Sequence, residues 1–204
     1  MSEIMVARRG DGGLNQDAVI GMFRLRHAVF HDRLGWEVTS DNGMEHDQFD
    51  ECNPVYVLVK GDDGVILGCW RLLPTTGPYM LKDTFPQLLH GQPAPQQPNV
   101  WELSRFAVST AEREGMGFGF SEVPMNMMRT SVRFAQDNGI ARYVTVTSVS
   151  VERMLRKVGV NINRFGPPAR IGRVLTVACS IEIDEVTEFA LFGTLPEHAP
   201  RKAA

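Results

Sequence analysis

The chain has 204 residues, of which 43% are hydrophobic and 22% are charged, and its formal net charge is −3. This length and composition predict a single globular domain over residues 1–204 with a sizeable core. The slightly acidic balance argues against a protein whose whole surface binds nucleic acid. No run approaches the roughly 18 apolar residues that span a bilayer, so we expect a cytoplasmic protein without stable membrane association.

The cysteines and histidines do not indicate a metal centre. Cys52, Cys69 and Cys179 are odd in number, lie far apart and contain no Cys-x-x-Cys pair. The five histidines show no metal-ligand spacing with a carboxylate or a cysteine. We therefore expect neither a disulfide framework nor a metal site.

The first long element is predicted to be a helix. Apolar residues recur near helical spacing over Leu14–Leu34, and Gly35 is placed to end the helix. Met22, Arg26 and Phe30 recur every four residues, so an arginine shares a stripe with two apolar side chains. Such a position is unusual for an arginine.

An acidic loop and a hairpin are predicted next. Thr39–Cys52 is polar and carries five carboxylates, while Pro54–Lys60 and Val65–Leu73 are β-rich and flank a glycine-bounded turn. Alternation places Arg71 among apolar residues of the second strand.

A buried guanidinium left unpaired costs several kcal/mol, so Arg71 needs a carboxylate. The acidic loop is the nearest source. We expect a structural ion pair between Arg71 and Asp47 or Asp50, or a substrate-binding role for Arg71, and the two can hold together.

The rest of the chain mixes strands with helices and contains no internal repeat. Further strands are expected at Val100–Val108, Arg142–Ser148, Val160–Phe165 and Val174–Ile183, and helices at Phe85–Leu89, Ser121–Asn138, Val151–Val158 and Glu185–Phe192. This order, with its early hairpin, predicts an α/β fold around a mixed sheet and not a pure doubly wound fold.

The strand Val100–Val108 carries two charged residues. Alternation puts Glu102 and Phe106 on one face, and Leu103 and Arg105 on the other. One interpretation is an edge strand with solvated charges. The other makes Glu102 a general base that points into a cleft.

Two later segments each allow two interpretations. The glycines of Gly115–Gly119 offer N–H groups to a pyrophosphate, but without Gly-x-Gly-x-x-Gly spacing they favour a flexible loop. Arg153, Arg156 and Lys157 would form one basic helix face, which is either a solvated surface or a site for an acidic protein partner.

Taken in chain order, these residues form a recognisable series. The series is Arg26, Phe30, Trp36, Asp47, Asp50, Arg71, Glu102 and Arg105, the last two within the run 101–106, Trp-Glu-Leu-Ser-Arg-Phe. It resembles the LuxI-type acyl-homoserine-lactone synthases, which are autoinducer synthases. The stretches Gly68–Arg71, Thr75–Lys82 and Leu89–Gly91 are most similar to the LasI branch of that family.

The resemblance implies a fold and an activity. The fold is a three-layer α-β-α sandwich around a mixed, splayed sheet, related to the GCN5-type N-acetyltransferases. The activity is transfer of a fatty acyl group from acyl carrier protein to the amine of S-adenosylmethionine, followed by lactonisation and release of methylthioadenosine, for quorum sensing. S-adenosylmethionine is a substrate, so no resident cofactor is expected.

The resemblance also implies roles for particular residues. Glu102 would be the base, beside Arg105 and Phe106. The S-adenosylmethionine pocket would comprise Arg26, Phe30, Trp36, Asp47, Asp50 and Arg71. The acyl pocket would comprise Met125, Met128, Val144, Thr145 and Val146. Arg153, Arg156 and Lys157 would dock the carrier protein, and the hydroxyl of Thr145 indicates a medium to long 3-oxo-acyl chain.

Two other functions are compatible with parts of the pattern. A GCN5-type N-acyltransferase would use acyl-coenzyme A on another small amine, but Glu112 and Glu114 stand where its pyrophosphate loop needs arginine or glutamine, and a glutamate there repels phosphate. A ligand-sensing module would keep the pocket without turnover.

Overall fold

The computed structural model describes residues 2–109 and 122–193. The strands are β1 (Glu3–Arg8), β2 (Ser40–Asp41), β3 (Met44–Glu45), β4 (Val55–Lys60), β5 (Ile66–Pro74), β6 (Val100–Val108), β7 (Arg142–Ser148), β8 (Ile162–Arg164), β9 (Ala169–Ile171) and β10 (Val174–Glu182). The α-helices are α1 (Gln16–His27), α2 (Met80–Asp83), α3 (Glu122–Asp137), α4 (Val149–Val158) and α5 (Glu185–Phe192). A π-helix covers Ala28–Arg33, and 3₁₀ turns cover Gln48–Glu51 and Pro86–Leu89.

One mixed sheet organises these elements. Its order is β1-β4-β5-β6-β7-β10-β8, and β9 pairs with the free end of β10. Neighbouring strands are antiparallel except β6 and β7, which are parallel. Helix α1 packs on one face with its own apolar cluster, while α3 and α5 pack on the other face over a second cluster. The predicted α/β fold around a mixed sheet is confirmed.

The sheet opens at its centre. Strands β6 and β7 pair only from Val100 opposite Arg142 to Leu103 opposite Thr145. Beyond that level β6 stays with β5 and β7 stays with β10. The two strands therefore diverge and leave a V-shaped gap.

A β-bulge lies on β6 just where the gap opens. Arg71 pairs with Ser104 and Cys69 pairs with Ala107, so two residues of β6 face Trp70 alone. The extra residue is Arg105, which has φ +57° in the left-handed region. A bulge redirects the side chains that follow it, and bulges are common beside active sites.

The hairpin, the helices α3, α4 and α5, and the later strands agree with the sequence predictions to within a few residues. The predicted helix Leu14–Leu34 is α-helical only over Gln16–His27 and continues as the π-helix Ala28–Arg33. The sequence analysis missed β1, which pairs antiparallel with β4, and the short helix α2. In the part of the chain that the structure describes, no helix is long and apolar enough to cross a membrane.

Candidate active site

A cavity of about 340 Å³ lies at the opening of the sheet. The π-helix and the following loop form one wall, β6 forms the floor, and the end of β7 with the start of α4 forms the opposite wall. Its lining includes six residues predicted from sequence: Phe30, Trp36, Glu102, Arg105, Phe106 and Val146. The structure therefore brings these six residues together at one cavity.

Behind this cavity lies a buried network of three arginines and three carboxylates, which we call the arginine–carboxylate network: Arg26, Arg71, Arg105, Glu45, Asp47 and Asp50. Arg26 donates from Nε to Glu45 at 2.5 Å and from its two terminal nitrogens to Asp50 at 2.7 and 2.9 Å. The side chain of Arg26 is fully buried. The arginine in the apolar stripe of α1 is thus held on two sides by the acidic loop.

The other two arginines complete the network. Arg71 donates to Asp47 at 2.5 Å and to Asp50 at 3.0 Å, so the expected structural ion pair is confirmed with both carboxylates. Arg105 contacts Glu45 at 2.9 Å and Asp47 at 2.7 Å. Each carboxylate therefore bridges two arginines.

The network shifts the pKa values of Asp50 and Arg26. Burial raises the pKa of Asp50, but the charges of Arg26 and Arg71 outweigh this effect and hold the pKa below its ordinary value of 3.8. Burial likewise disfavours charge on Arg26, yet Asp50 and Glu45 raise its pKa above the ordinary range. Asp50 and Arg26 are therefore both charged at neutral pH.

The acidic loop is shaped to place these carboxylates. Asp47 caps the 3₁₀ turn by accepting from the N–H of Phe49 at 2.9 Å, and Asp50 accepts from the N–H of Asp47 at 2.8 Å. This reciprocal capping box is the local reason for the Asp-x-x-Asp spacing. The hydroxyl of Tyr56 also donates to Asp50 at 2.7 Å.

Two aromatic rings lie in the cavity wall that the π-helix and the following loop form. Phe30 and Trp36 stack with ring centroids 5.4 Å apart and an interplanar angle of 18°. The π-helix ends beside them, and the N–H of Trp36 donates to the carbonyl of Phe30 at 2.9 Å. The guanidinium of Arg105 lies 5.3 Å from the centre of the Phe30 ring. The network and the aromatic wall are therefore in direct contact.

Glu102 is fully buried at the centre of the sheet. Its two carboxylate oxygens accept from the N–H groups of Leu81 at 2.7 Å and Met80 at 3.0 Å, at the first turn of α2. Since β6 lies between β5 and β7, the interpretation of an edge strand with solvated charges is wrong. Burial raises the pKa of Glu102, and the two backbone N–H groups only partly oppose that rise.

The bulge corrects the predicted division of β6 into faces. Simple alternation put Phe106 with Glu102 and put Arg105 on the opposite face. In the structure Arg105 shares the face of Glu102, because its guanidinium contacts Glu45, whereas Phe106 packs on Trp70 with ring centroids 4.9 Å apart. The extra residue at the bulge, which sequence alternation does not reveal, causes the difference.

The candidate acyl-pocket residues divide into two groups. Met128, Thr145 and Val146 line a narrow cavity of about 30 Å³ inside the gap between β6 and β7. Val144 instead packs on the opposite face of the sheet, in a cluster with Leu73. Met125, a residue of α3, packs at the edge of the core and lines neither this narrow cavity nor the large one.

The basic residues of α4 are exposed, as the sequence predicted. Arg156 pairs with Glu152, a fully buried carboxylate that also accepts from Arg164 at 2.8 Å. Arg156 therefore has a structural partner in addition to its surface position. The glycine segment Gly115–Gly119 and the nearby Glu112 and Glu114 lie outside the described residues.

Sequence reasoning missed two members of the site and one cluster. Glu45 belongs to the network and Ser104 lines the cavity, where its hydroxyl accepts from Nε of Arg71 at 3.2 Å. Glu45 was visible only as one of five loop carboxylates. At the surface, His27, His31 and Asp32 bring three possible metal-ligand atoms within 4.8 Å of one another. The sequence did not predict this cluster, because the histidine spacing indicated no metal site.

Comparison with known proteins decides the family. The family model described as autoinducer synthase matches residues 13–191. The chain belongs to the autoinducer synthase family. It is 45% identical over 174 residues to the acyl-homoserine-lactone synthase of Pseudomonas aeruginosa, covering 84% of this chain and 86% of that protein. The chain is thus an acyl-homoserine-lactone synthase, an acyltransferase, and the resemblance seen in the sequence is confirmed.

Solved structures agree with this assignment. The synthase LasI superposes with a TM-score of 0.88 at 42% identity over 96% of both chains. The protein TofI, solved in a ternary complex with an inhibitor and MTA, gives 0.79 at 39% identity over 93% of this chain and 96% of its own. A coenzyme A-dependent synthase, BjaI with SAM and isopentyl-CoA, gives 0.80 at 28% identity, covering 93% and 88%.

A more distant likeness supports the fold alone. An N-acetyltransferase structure from Lactobacillus plantarum gives a TM-score of 0.60 at 14% identity over 90% of this chain and 99% of its own. The predicted relation of the fold to the N-acetyltransferases is confirmed.

The network predicts a specific response to loss of one carboxylate. Asp50→Asn leaves Arg26 and Arg71 short of a buried counter-charge, and we expect a loss of about 3–5 kcal/mol in the free energy of unfolding at pH 7. Urea unfolding measures this loss. Glu51→Gln removes the neighbouring exposed carboxylate and should change the stability by less than about 0.5 kcal/mol.

The difference in stability between the wild type and Asp50→Asn should depend on pH in a defined direction. Because the pKa of Asp50 is lowered in the folded state, its contribution is complete above its ordinary value of 3.8 and is lost as the pH falls through the lower folded value. The stability gap between the wild type and Asp50→Asn should therefore narrow below about pH 4. A gap that is constant from pH 7 to pH 3 would contradict the assignment.

Proposed function

We propose that this synthase transfers a medium to long fatty acyl group, with a 3-oxo substituent, from acyl carrier protein to the amine of S-adenosylmethionine. The enzyme then lactonises the product and releases methylthioadenosine. The observation that carries the proposal is the continuity of the site. The cavity beside Glu102, Phe30 and Trp36 adjoins a narrow apolar cavity in the gap of the sheet, through shared lining at Phe106 and Val146.

The large cavity suits S-adenosylmethionine. Phe30 and Trp36 offer aromatic faces to adenine or to the sulfonium, which a π system attracts. The indole N–H of Trp36 is buried without a hydrogen-bond partner in the described structure and so has a donor to offer to the substrate. Arg26, Asp47, Asp50 and Arg71 act from behind, by holding Arg105 and the acidic loop in place. SAM-bound BjaI and MTA-bound TofI are consistent with this substrate.

Glu102 is our candidate for the general base. The α-ammonium of S-adenosylmethionine has an ordinary pKa of about 8 and must lose a proton before the amine attacks the thioester carbonyl. Glu102 lines the cavity and its carboxylate pKa is raised, so it accepts a proton more readily than an exposed glutamate. Its proton transfer is direct or through one water. The hydroxyl of Ser104 also bonds Glu102 and orients it.

The acyl transfer passes through a tetrahedral oxyanion that needs hydrogen-bond donors. The edge of β6 beyond Leu103 is not paired with β7, so we assign this role to backbone N–H groups near Arg105 and Phe106. Collapse of the intermediate forms the amide and expels the carrier thiol, which takes up a proton.

The second step closes the ring. The carboxylate of the acylated methionyl group attacks its own γ-carbon and displaces the sulfonium sulfur, which leaves as neutral methylthioadenosine. No proton or electron is required from outside. The enzyme needs only to hold the two ends of one molecule close together, which raises the effective concentration of the nucleophile. Under this scheme S-adenosylmethionine is a substrate and the reaction uses no resident cofactor.

Carrier protein is our proposed donor because a basic surface lies beside the cavity. Helix α4 begins at the cavity wall with Val151 and Met154, and its exposed face carries Arg153, Arg156 and Lys157. Acyl carrier protein is strongly acidic, so the charges are complementary. Coenzyme A is the second candidate donor, because BjaI is coenzyme A-dependent.

The base assignment predicts the behaviour of one variant. Glu102→Gln should reduce the release of methylthioadenosine by a factor of about 10²–10⁴, the usual range for removing a general base. In the wild type, the acid limb of kcat/KM should lie above the ordinary glutamate pKa of 4.5, since the base must be ionised. A matched melting temperature shows that the variant is folded. Unchanged turnover in a folded variant would sink the assignment.

The hydroxyl of Thr145 leads to a prediction about the 3-oxo substituent of the acyl chain. Thr145 lines the narrow cavity, and its hydroxyl supports the proposal as a hydrogen-bond donor for a 3-oxo group. Mass spectrometry of lactones from expressing cells should show mainly 3-oxo products for the wild type and a smaller 3-oxo fraction for Thr145→Val. The control is Thr176→Val, because Thr176 is a buried threonine that lines none of the three cavities. Products dominated by unsubstituted butanoyl or hexanoyl lactone would contradict this.

The donor assignment predicts a selective loss. Arg153→Glu with Lys157→Glu should raise KM for acyl carrier protein about tenfold or more at low salt, with a smaller effect at high salt. Arg156 is kept because it pairs with buried Glu152. Kinetics with acyl-coenzyme A serve as the internal reference, and Arg24→Glu with Lys60→Glu supplies the same charge change elsewhere. An unaltered KM for the carrier protein means that docking occurs on another surface.

A further inference from the structure

The cavities follow strand β7 inward from the site. The first contacts Val146, Thr147 and Ser148, and the second contacts Thr145, Val146 and Thr147. A third cavity, of about 20 Å³, contacts Tyr143. The second and third adjoin, since both are lined by Trp70, Leu103, Met128, Leu155 and Ile181.

The inner end of this path is closed by Tyr143. Its side chain is 1% exposed, and its hydroxyl donates at 2.8 Å to the main-chain carbonyl of Ser131 on α3. The ring is thus tied from the sheet to the helix that covers it. A tied aromatic ring resists displacement more than a flexible aliphatic side chain at the same place.

The same end contains polar groups that are unmatched. Trp70 and Ser131 line the third cavity, and neither the indole N–H of Trp70 nor the hydroxyl of Ser131 has a hydrogen-bond partner in the described structure. Both residues are more than nine-tenths buried. An alkyl chain that reached this end would give neither group a hydrogen bond, so the two groups would add nothing to its binding.

We propose that Tyr143, Ser131 and Trp70 together set the upper limit of acyl-chain length in this synthase. The inference rests on the proposed acyl transfer and limits the acyl group of the donor to a medium-length chain. The last residue pair between β6 and β7 is Leu103 opposite Thr145. Ser104, beside the reaction centre, follows Leu103, and Val146 follows Thr145, so Ser104 lies level with Val146. Tyr143 is three residues back along β7, about 10 Å at 3.3 Å per residue, which accommodates an extended octanoyl chain.

The test compares octanoyl and dodecanoyl thioesters of acyl carrier protein with purified enzyme, by measuring methylthioadenosine release. The wild type should prefer octanoyl. Tyr143→Leu removes the hydroxyl and the ring, and should raise the dodecanoyl-to-octanoyl ratio of kcat/KM by at least tenfold, the lower end of what one methylene is worth in an apolar pocket. Ser131→Ala, which removes one unmatched polar group, should change the ratio in the same direction by a smaller factor.

A matched control separates the effect of a residue's position at the cavity from the effect of removing a buried hydroxyl. Ser109 also has a buried hydroxyl without a partner in the described structure, but it lines none of the three cavities. Ser109→Ala should leave the ratio unchanged. A Tyr143→Leu variant that is folded and active on octanoyl, but has the wild-type ratio, overturns the length limit and leaves the proposed function standing. Absence of methylthioadenosine release by the wild type with either donor overturns the proposed function itself.

Discussion

The arrangement of the site depends on the arginine–carboxylate network. Three guanidinium groups and three carboxylates lie almost out of contact with water, and each carboxylate joins two arginines. Removing ions from water costs several kcal/mol for each ion, so this network is weak evidence for added stability. Its value is positional, because it fixes helix α1, the acidic loop and the central strands to one another. Phe30 and Arg105, which form the cavity wall, are set by these attachments.

The bulge at Arg105 connects the network to the opening of the sheet. Without it, alternation would place Arg105 on the face of α3, where no carboxylate of the network could reach it. With it, Arg105 reaches Glu45 and Asp47, while Phe106 moves to the opposite face beside Trp70. The bulge lies where β6 and β7 diverge, so one irregularity serves both sides of the site. Arg105 and Phe106 line both the large cavity and the narrow second cavity.

Much of this arrangement was visible in the sequence, and the reasons are specific. Arg71 in an apolar strand required a buried acid, and the acidic loop supplied Asp47 and Asp50. Arg26 stood out only by its position in an apolar stripe. The network follows from that requirement of charge pairing. The fold class followed from the order of strands and helices. The series of motif residues added the family, which the comparisons confirm.

The remaining features depend on tertiary context. A bulge leaves no mark on the alternation of a nine-residue strand, so the faces of Arg105 and Phe106 were predicted wrongly. Glu45 differs from its acidic neighbours only in what packs around it. The sequence prediction put Val144 and Thr145 in the same acyl pocket. In the structure the side chain of Val144 points to the opposite face of the sheet from that of Thr145. Short α2, which binds Glu102, had no helical periodicity long enough to detect.

The central claim is that the cavity beside Glu102, bounded by the aromatic pair and backed by the network, is where the methionyl substrate reacts. A crystal structure of this protein with S-adenosylmethionine bound tests it most directly. The account predicts the adenosyl group or the sulfonium against Phe30 and Trp36, and the methionyl amine within hydrogen-bond reach of Glu102 directly or through one water. Clear density for the ligand at another surface, with this cavity filled by solvent alone, would contradict it.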